Sequence, residues 1–357
     1  MSKTPAFRVF ETSRGAQVFA IPVEAFPNFF AYVYLVQAAD MLVLIDSGSG
    51  SELSHESLKR GMERAGAMMG RSAGFSDLTH ILITHGHIDH FGGLVRIRDL
   101  TQARIGIHEL DFQTVAHHEE RLAVMGRRLN MFLKQWGVGE EVRGNLLQMY
   151  RFTKAFYKSV KIDFTFDVTQ TVLGPFEMLH VPGHCPGHVA IRLDDIVFCG
   201  DLIVEGVTPH QSPEELTPFL GLNHYLVSLV CFESWAGNAK IVLGGHDAPI
   251  SNLKDRITGI REHISQRLEQ TLEGFSEPNT VANVCKLVYG EIGGYNSLLV
   301  QEKMGAYVEY LYQRGFLEIS NLGELEDGDG YPVIRYRCAK SVPMTELIPK
   351  EKAYVFI

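Results

Sequence analysis

Apolar residues cluster in three early segments, AQVFAIPV (16–23), FFAYVYLVQ (29–37) and MLVLIDSG (41–48), each rich in Val, Ile, Phe or Tyr and bounded by Pro, Asn, Asp or Gly. Runs that short, with such boundaries, predict β-strands. SELSHESLKRGMERAG (51–66) predicts a helix, and HILIT (80–84) predicts a buried strand aimed into the polar residues that follow it. Further along, FEMLHV, HVAIRL, DIVFCGD and AKIVLGGHD repeat one arrangement, a strand next to a loop that carries His or Asp. From residue 109 to about 161 the period changes: Leu122, Met125, Leu129, Phe132, Leu133 and Trp136 recur at helical spacing and predict a helical insertion between strands. After Asn252, Ile257, Ile260, Ile264, Leu268 and Leu272 step along one helix face. Glu277, Pro278 and Asn279 end it, and TVANVCKLVYG and NSLLVQEKMGAYVEYLYQRG predict two more helices before extended segments close the chain.

With 357 residues the chain suits a large domain plus a smaller one. Residues 1–253 are expected to form the larger one, with the helical insertion at about 109–161. Residues 254–357, three helices and then strands, read as a winged-helix-like module with an extended tail. An apolar share of 45% against 21% charged excludes a disordered chain. The first residues lack the apolar core of an export signal and no run of about 18 apolar residues occurs, so a soluble, cytoplasmic protein with no membrane association is expected. The five cysteines, Cys185, Cys199, Cys231, Cys285 and Cys338, form no CxxC pair and read as reduced thiols. A formal charge of −9 disfavours nonspecific nucleic-acid binding.

The candidate chemistry is concentrated in ITHGHIDHFGG (83–93), which sets His85, His87, Asp89 and His90 within six positions and closes on Gly92 and Gly93. A lone histidine is usually a surface or hydrogen-bonded core residue, but this cluster follows a strand, where the His85-x-His87 alternation sends two imidazoles to one side. Imidazole nitrogen and carboxylate oxygen are the ligands that Zn, Fe(II) and Mn accept. The two glycines permit a tight turn at which a helix begins. The segment reads as half of a two-metal site, and His184 in HVPGHCPGH, Asp201 in FCGD and His246 in LGGHD stand at other strand ends as candidates for the rest.

This ordered set, HxHxDH followed by His, Asp and His, resembles the metallo-β-lactamase superfamily over roughly residues 19–253. The resemblance implies an αββα sandwich. It also implies that His85, His87 and His184 hold one divalent ion, that Asp89, His90 and His246 hold a second, and that Asp201 bridges them; Asp46 in LIDSG matches the family aspartate that orients this shell. Zinc is the favoured ion, with Fe or Mn compatible. Two cations about 3.5 Å apart lower the pKa of a bridging water toward ~7, so a hydroxide nucleophile is implied, with Asp89 handling its proton. His184 is preferred to His188 as ligand because it follows the Pro-Gly turn. His80 and His180 read as structural, Asp247 as a loop cap, and Cys185 as structural although it adjoins His184.

THGHIDHFGG and VPGHCPGHVA are most similar to the glyoxalase II and lactonase branches, which implies cleavage of a thioester or of an ester or lactone in a small-molecule substrate. The carboxy-terminal half of glyoxalase II, with its basic glutathione-binding residues, is not recognisable, so another acyl group or thiol carrier is expected. Residues after Asp201 also resemble lactamase-like proteins that end in a winged helix, some of them endoribonucleases; that alternative, a phosphodiesterase, implies RNA. Against it, residues 254–320 carry seven Lys or Arg against nine Asp or Glu, where a groove-reading helix is expected to be basic. Val300, Met304, Tyr307, Val308 and Leu311 read as a face for core packing or for a homodimer contact. The insertion's Met125, Met131, Phe132, Trp136, Met149, Phe152, Phe156 and Tyr157 read as helix packing or as a lining for an acyl chain, and His210, His224 and Tyr225 as residues within reach of substrate. A third class, a binding or sensor protein that keeps the metal without turnover, is disfavoured by the complete ligand set.

Overall fold

The structure, a computed structural model, describes residues 5–167, 170–327, 330–339 and 347–348. Strands β1 (Arg8–Glu11), β2 (Gln17–Phe26), β3 (Phe29–Ala38) and β4 (Met41–Ile45) pair in antiparallel succession. Helix α1 (Glu52–Met69) then leads to β5 (His80–Leu82), which runs parallel to β4. Short helices α2 (Ile88–Phe91) and α3 (Leu94–Ile97) precede β6 (Arg104–His108); α4 (Glu109–Ala116), α5 (His118–Gln135) and α6 (Glu140–Lys154) precede β7 (Phe164–Phe166), which completes a seven-stranded sheet in the order β1 to β7. A second sheet holds β8 (Gln170–Leu173), β9 (Phe176–His180), β10 (Val189–Leu193), β11 (Ile196–Gly200) and, beyond α7 (Leu222–Ala236), β12 (Ile241–Gly244), with β11 and β12 parallel.

The apolar run in β3 is continuous because both of its faces are buried. Ala31, Val33 and Leu35 pack with Phe19 and Ile21 of β2 and with Leu58, Met62 and Ala65 of α1. The alternate residues Tyr32, Tyr34 and Val36 pack between the sheets with Met178, Ile191, Phe198 and Leu243. Period-two alternation thus feeds two cores at once. Helix α1 begins where the Ser51 hydroxyl accepts from Ser54 N at 3.1 Å and ends at Gly70, whose φ of 69° is left-handed. On the second sheet, the Arg192 guanidinium of β10 stacks 4.2 Å from the Trp235 ring of α7. Helix, sheet, sheet and helix make the αββα sandwich expected from the sequence.

The chain divides into two compact units. The described residues of Met1–Glu119, Tyr157–Pro209 and Ser228–Arg256 form the first, which contains the sandwich; those of Glu120–Phe156, His210–Val227 and Ile257–Ile357 form the second. This differs from a single boundary at 253/254, because most of the insertion joins the carboxy-terminal region. In that second unit Trp136 lies against Gly305, where a Cβ would meet its ring at 2.5 Å, and the Trp136 carbonyl accepts from Ala282 N at 2.9 Å. Helices α8 (Leu253–Gly274), α9 (Val281–Tyr289) and α10 (Tyr295–Gln313) lead to β13 (Leu317–Ile319), then α11 (Leu322–Asp327) and β14 (Tyr336–Cys338), antiparallel to β13. Met304, Tyr307, Val308 and Leu311 of α10 are buried within the chain, as a packing face should be. Most of the extended tail lies outside the described residues.

Gly92 and Gly93 form the expected turn, with Gly93 as the N-cap of α3, and Gly93 serves a second purpose. Gly93 has ordinary right-handed helical angles, φ −64° and ψ −21°, but a Cβ there would lie 2.0 Å from the Ser47 carbonyl oxygen. Its lack of a side chain lets the loop after β4 close onto the histidine segment, where Ser47 N donates to the His90 carbonyl at 2.7 Å. Gly93→Ala should therefore destabilise the protein by about 1–3 kcal/mol, the cost of overpacking a buried contact. Gly144→Ala, in the middle of α6 with nothing near its Cβ position, should stabilise by roughly 0.5–1 kcal/mol through helix propensity. Thermal unfolding of the two variants checks the contrast, and equal shifts would refute it.

Candidate metal centre

Asp46, Thr84, Asp201 and His246 follow the carboxyl ends of β4, β5, β11 and β12, and His184 sits in the loop between β9 and β10. Asp46 has φ 63°, a left-handed conformation that Asp tolerates better than most residues. That conformation lets its carboxylate accept from Thr84 N at 2.8 Å, from the Thr84 hydroxyl at 2.9 and 3.0 Å, and from His90 Nδ1 at 2.8 Å. Since the Thr84 hydroxyl donates to Asp46, its oxygen accepts from His85 Nδ1 at 3.0 Å. His246 Nδ1 donates to the Phe30 carbonyl at 2.6 Å. All three rings therefore keep a proton on Nδ1 and turn Nε2 toward the cluster. The His85–His87 turn is held by Gly86 N, which donates to the buried Asp111 carboxylate at 2.8 Å.

The donor atoms gather in three overlapping sets, each with all its atoms within 4.8 Å of one another: His85, His87, His184 and Cys185; His85, His90 and Asp201; and Asp89, His90 and His246. Asp201 lies between them, with carboxylate oxygens 3.5 Å from His90 Nε2, 3.7 Å from His184 Nε2, 4.0 Å from His85 Nε2 and 3.3 Å from His246 Nε2. Asp89 is 3.3 Å from His246 Nε2 and 3.6 Å from His90 Nε2. A Cβ on Gly245 would sit 2.3 Å from Asp201 Oδ1, so the loop before His246 passes against this carboxylate only as glycine.

The electrostatics ask for a cation. His85 Nε2, His90 Nε2 and Asp201 Oδ1 are buried without a hydrogen-bond partner, an arrangement that costs free energy unless something positive completes it. Burial drives the His85 imidazole well below its ordinary pKa, so the ring is a neutral donor. Burial would also lower His90 and His246, but Asp201 and Asp89 outweigh it for both; Asp46 adds to the pull on His90, which is raised well above 6.5, and His246 rises to about 10. Burial would raise the carboxyls of Asp89 and Asp201, yet His246 and His90 hold both down and ionised. Protons on two histidines thus balance the carboxylates, and a divalent ion can supply that positive charge in their place. The residues fit the metals that the sequence implied.

Other sequence candidates fall into place around this cluster. His188 is fully buried, with its ring 4.7 Å from that of His85, and belongs to none of the donor sets; burial keeps it neutral. His180 contacts the Pro186 carbonyl at 2.7 Å and His80 the Thr79 hydroxyl at 3.1 Å, and neither joins a donor set. Asp247 accepts from Gly206 N at 3.2 Å, as a loop cap does. In the second unit His210 pairs with Glu302 at 3.0 Å and His224 with Glu214 at 2.8 Å, while Tyr225 is fully buried. Sequence reasoning missed Thr84 and Asp111, which hold the loops of His85 and Gly86, and read Cys185, whose sulfur joins a donor set, as structural; adjacency to His85 was the available signal for Thr84. It also missed Phe29, whose ring lies 4.7 Å from that of His246 and 6.2 Å from Phe26, with Phe29 45% and Phe26 40% exposed at the turn between β2 and β3.

Comparison with known proteins places these features in a family. A family profile described as the metallo-beta-lactamase superfamily matches residues 27–270. A hydroxyacylglutathione hydrolase of Shewanella baltica is 23% identical over 67% of this chain and 72% of its own. The hydroxyacylglutathione hydrolase GloC of Haemophilus influenzae is 26% identical over 36% of this chain; that match spans about half, 52%, of the relative's length. Two crystal structures share the fold: a metallo-beta-lactamase family protein from Thermus thermophilus, with TM-score 0.68, 23% identity and coverage of 90% of this chain and 98% of that one, and a beta-lactamase domain protein from Burkholderia ambifaria, with TM-score 0.69, 21% identity and coverage of 95% and 97%.

The charge balance makes a pH prediction. The metal-free His246 has a folded pKa of about 10, above its ordinary 6.5, so the stability it contributes is complete below 6.5 and is lost as pH rises through about 10. Melting temperatures of chelator-treated protein should fall across that window, whereas protein reloaded with divalent metal should hold level. A metal-free curve that is flat or rises would contradict this account. Asp46→Asn should weaken metal binding by about 10- to 100-fold, the range for partners that orient metal ligands, as read by competition with a chromophoric chelator.

Proposed function

Since the chain belongs to the metallo-β-lactamase superfamily, we propose that it is a two-metal hydrolase that cleaves a small acyl thioester, ester or lactone. The observation that carries this reading is the convergence of three donor sets on Asp201, which offers more ligands than one tetrahedral ion uses. His85, His87 and His184 would hold one ion and Asp89, His90 and His246 the second, with Asp201 shared and zinc favoured by the imidazole-rich set. When bound, such a pair supplies a nucleophilic hydroxide and polarises the acyl carbonyl. Asp89, ionised and beside His246 and His90, accepts the hydrogen bond of the attacking water and orients it. His90, fixed by Asp46, and His246, fixed by the Phe30 carbonyl, keep the ring orientations that this arrangement requires.

The acyl class is favoured by three features. Relatives named hydroxyacylglutathione hydrolases carry the name of a thioester-cleaving activity. Phe26 and Phe29 place exposed aromatic surface beside His246, suited to an acyl group or the apolar part of its carrier. The net charge of −9 disfavours a polyanion, whose binding draws on Lys and Arg around the site.

The test is a hydrolysis panel of acyl-CoA thioesters, acyl glutathiones, lactones and a structured RNA, run on protein with its metal content measured. Close to two ions per chain are expected, with turnover of at least one thioester or lactone and weak or absent RNA cleavage at moderate salt. Asp201→Ala should lose metal and turnover together. Phe29→Ala should raise KM about 5- to 30-fold for apolar acyl substrates, the loss of roughly 1–2 kcal/mol of contact, with kcat little changed. A metal content at or below one ion after reconstitution would exclude the two-metal reading. A blank carbonyl panel beside RNA cleavage abolished in Asp89→Ala would reassign the substrate.

A further inference from the structure

Cys185 follows His184 in the loop between β9 and β10 and is 5% exposed. It takes part in no disulfide, and its sulfur shares one donor set with ring nitrogens of His85, His87 and His184, all within 4.8 Å of one another. The other two sets, His85–His90–Asp201 and Asp89–His90–His246, contain nitrogen and oxygen only. The two ends of the centre therefore differ in chemical softness. Three imidazoles with one sulfur combine donors that zinc takes, with bonds of about 2.0–2.1 Å to nitrogen and about 2.3 Å to sulfur, in a sphere that goes beyond four ligands when Asp201 is shared. Neighbouring donors around such an ion lie roughly 3–3.6 Å apart, inside the 4.8 Å within which these atoms gather. Carboxylate and imidazole donors alone would leave both ends open to harder ions such as manganese.

On the reading that His85, His87 and His184 hold a metal, we propose that Cys185 is a further ligand to that ion and makes this position selective for a thiophilic divalent metal. Coordination forms one sulfur–metal bond and releases the thiol proton to the medium, with no change of oxidation state. The Asp89, His90 and His246 end, which has no sulfur, keeps the broader preference. The sequence explanation of Cys185 as a packing residue accounts for its burial but not for its place among three imidazole donors.

The full-length protein, stripped by chelation and reloaded with cobalt(II), provides the test. Unmodified protein is expected to show a near-ultraviolet sulfur-to-cobalt charge-transfer band; Cys185→Ser and Cys185→Ala should lose it and keep the visible ligand-field bands. X-ray absorption at the zinc edge of the unmodified protein should require a sulfur neighbour at about 2.3 Å, a measurement independent of how well any variant folds. Zinc-over-manganese preference, measured by competition, should drop at least about tenfold in Cys185→Ser. Cobalt uptake with ligand-field bands but no charge-transfer band, together with a zinc edge fitted by nitrogen and oxygen alone, overturns the proposal and leaves the metal centre standing. A charge-transfer band that survives both Cys185 substitutions assigns the sulfur elsewhere and overturns it as well. Failure of the unmodified protein to take up cobalt or zinc overturns this proposal and the metal centre together.

Discussion

The carboxylate of Asp46 is the contact on which the catalytic end of the sandwich depends. It ends β4, receives the amide and hydroxyl of Thr84 after β5, and receives Nδ1 of His90. Two parallel strands are thereby tied to each other and to the His90 ring, a candidate metal ligand. Thr84 passes the constraint on, because its hydroxyl oxygen sets His85 while its carbonyl accepts from Val189 N in the second sheet at 2.9 Å. Asp46 makes these contacts from a left-handed backbone, with φ 63°. Strain of roughly 1–3 kcal/mol in that backbone is offset by the charge-assisted hydrogen bonds it permits.

Fixing the rings so firmly has an electrostatic consequence. Asp46, Asp89 and Asp201 gather around His90 and His246 where little water reaches, and buried carboxylates are tolerated only with positive charge nearby. In the metal-free protein that charge is a proton on His90 and on His246, so the rings that would hold a metal stay imidazolium in its absence. A metal ion bound here would take the place of those protons, so its affinity and the site's pH dependence would have a single origin.

Most of this was legible in the sequence where one residue type has one dominant physical reason for its position. The strands were readable because apolar runs bounded by Gly, Asp and Pro leave few alternatives, and the ligand candidates were readable because histidines do not otherwise cluster at strand ends. Gly93 was legible as part of a turn before a helix but not as a close-packing position, since its angles are ordinary and the contact that excludes a Cβ comes from Ser47, 46 positions earlier in the chain. The division into units was not legible either. Helical spacing in 109–161 shows that Trp136 faces something, but period alone cannot say that its partner is Gly305.

The aromatic pair at the β2–β3 turn marks the limit of pattern reading most clearly. Phe26 and Phe29 sit in a stretch where nearly every apolar residue is buried, so alternation and composition both assign them to the core. The register of β2 against β3 shifts between Glu24 and Phe26, and Asn28 takes a left-handed φ of 61°, so the strand ends in a turn that leaves both rings half in solvent. Exposed large aromatics carry a hydration cost that core residues avoid, and here the cost is borne at the one turn whose neighbouring Phe30 carbonyl also fixes His246. One short turn therefore sets a metal-ligand candidate and offers an apolar surface beside it. That coupling depends on a bulge and a carbonyl, neither of which leaves a mark in the order of side chains.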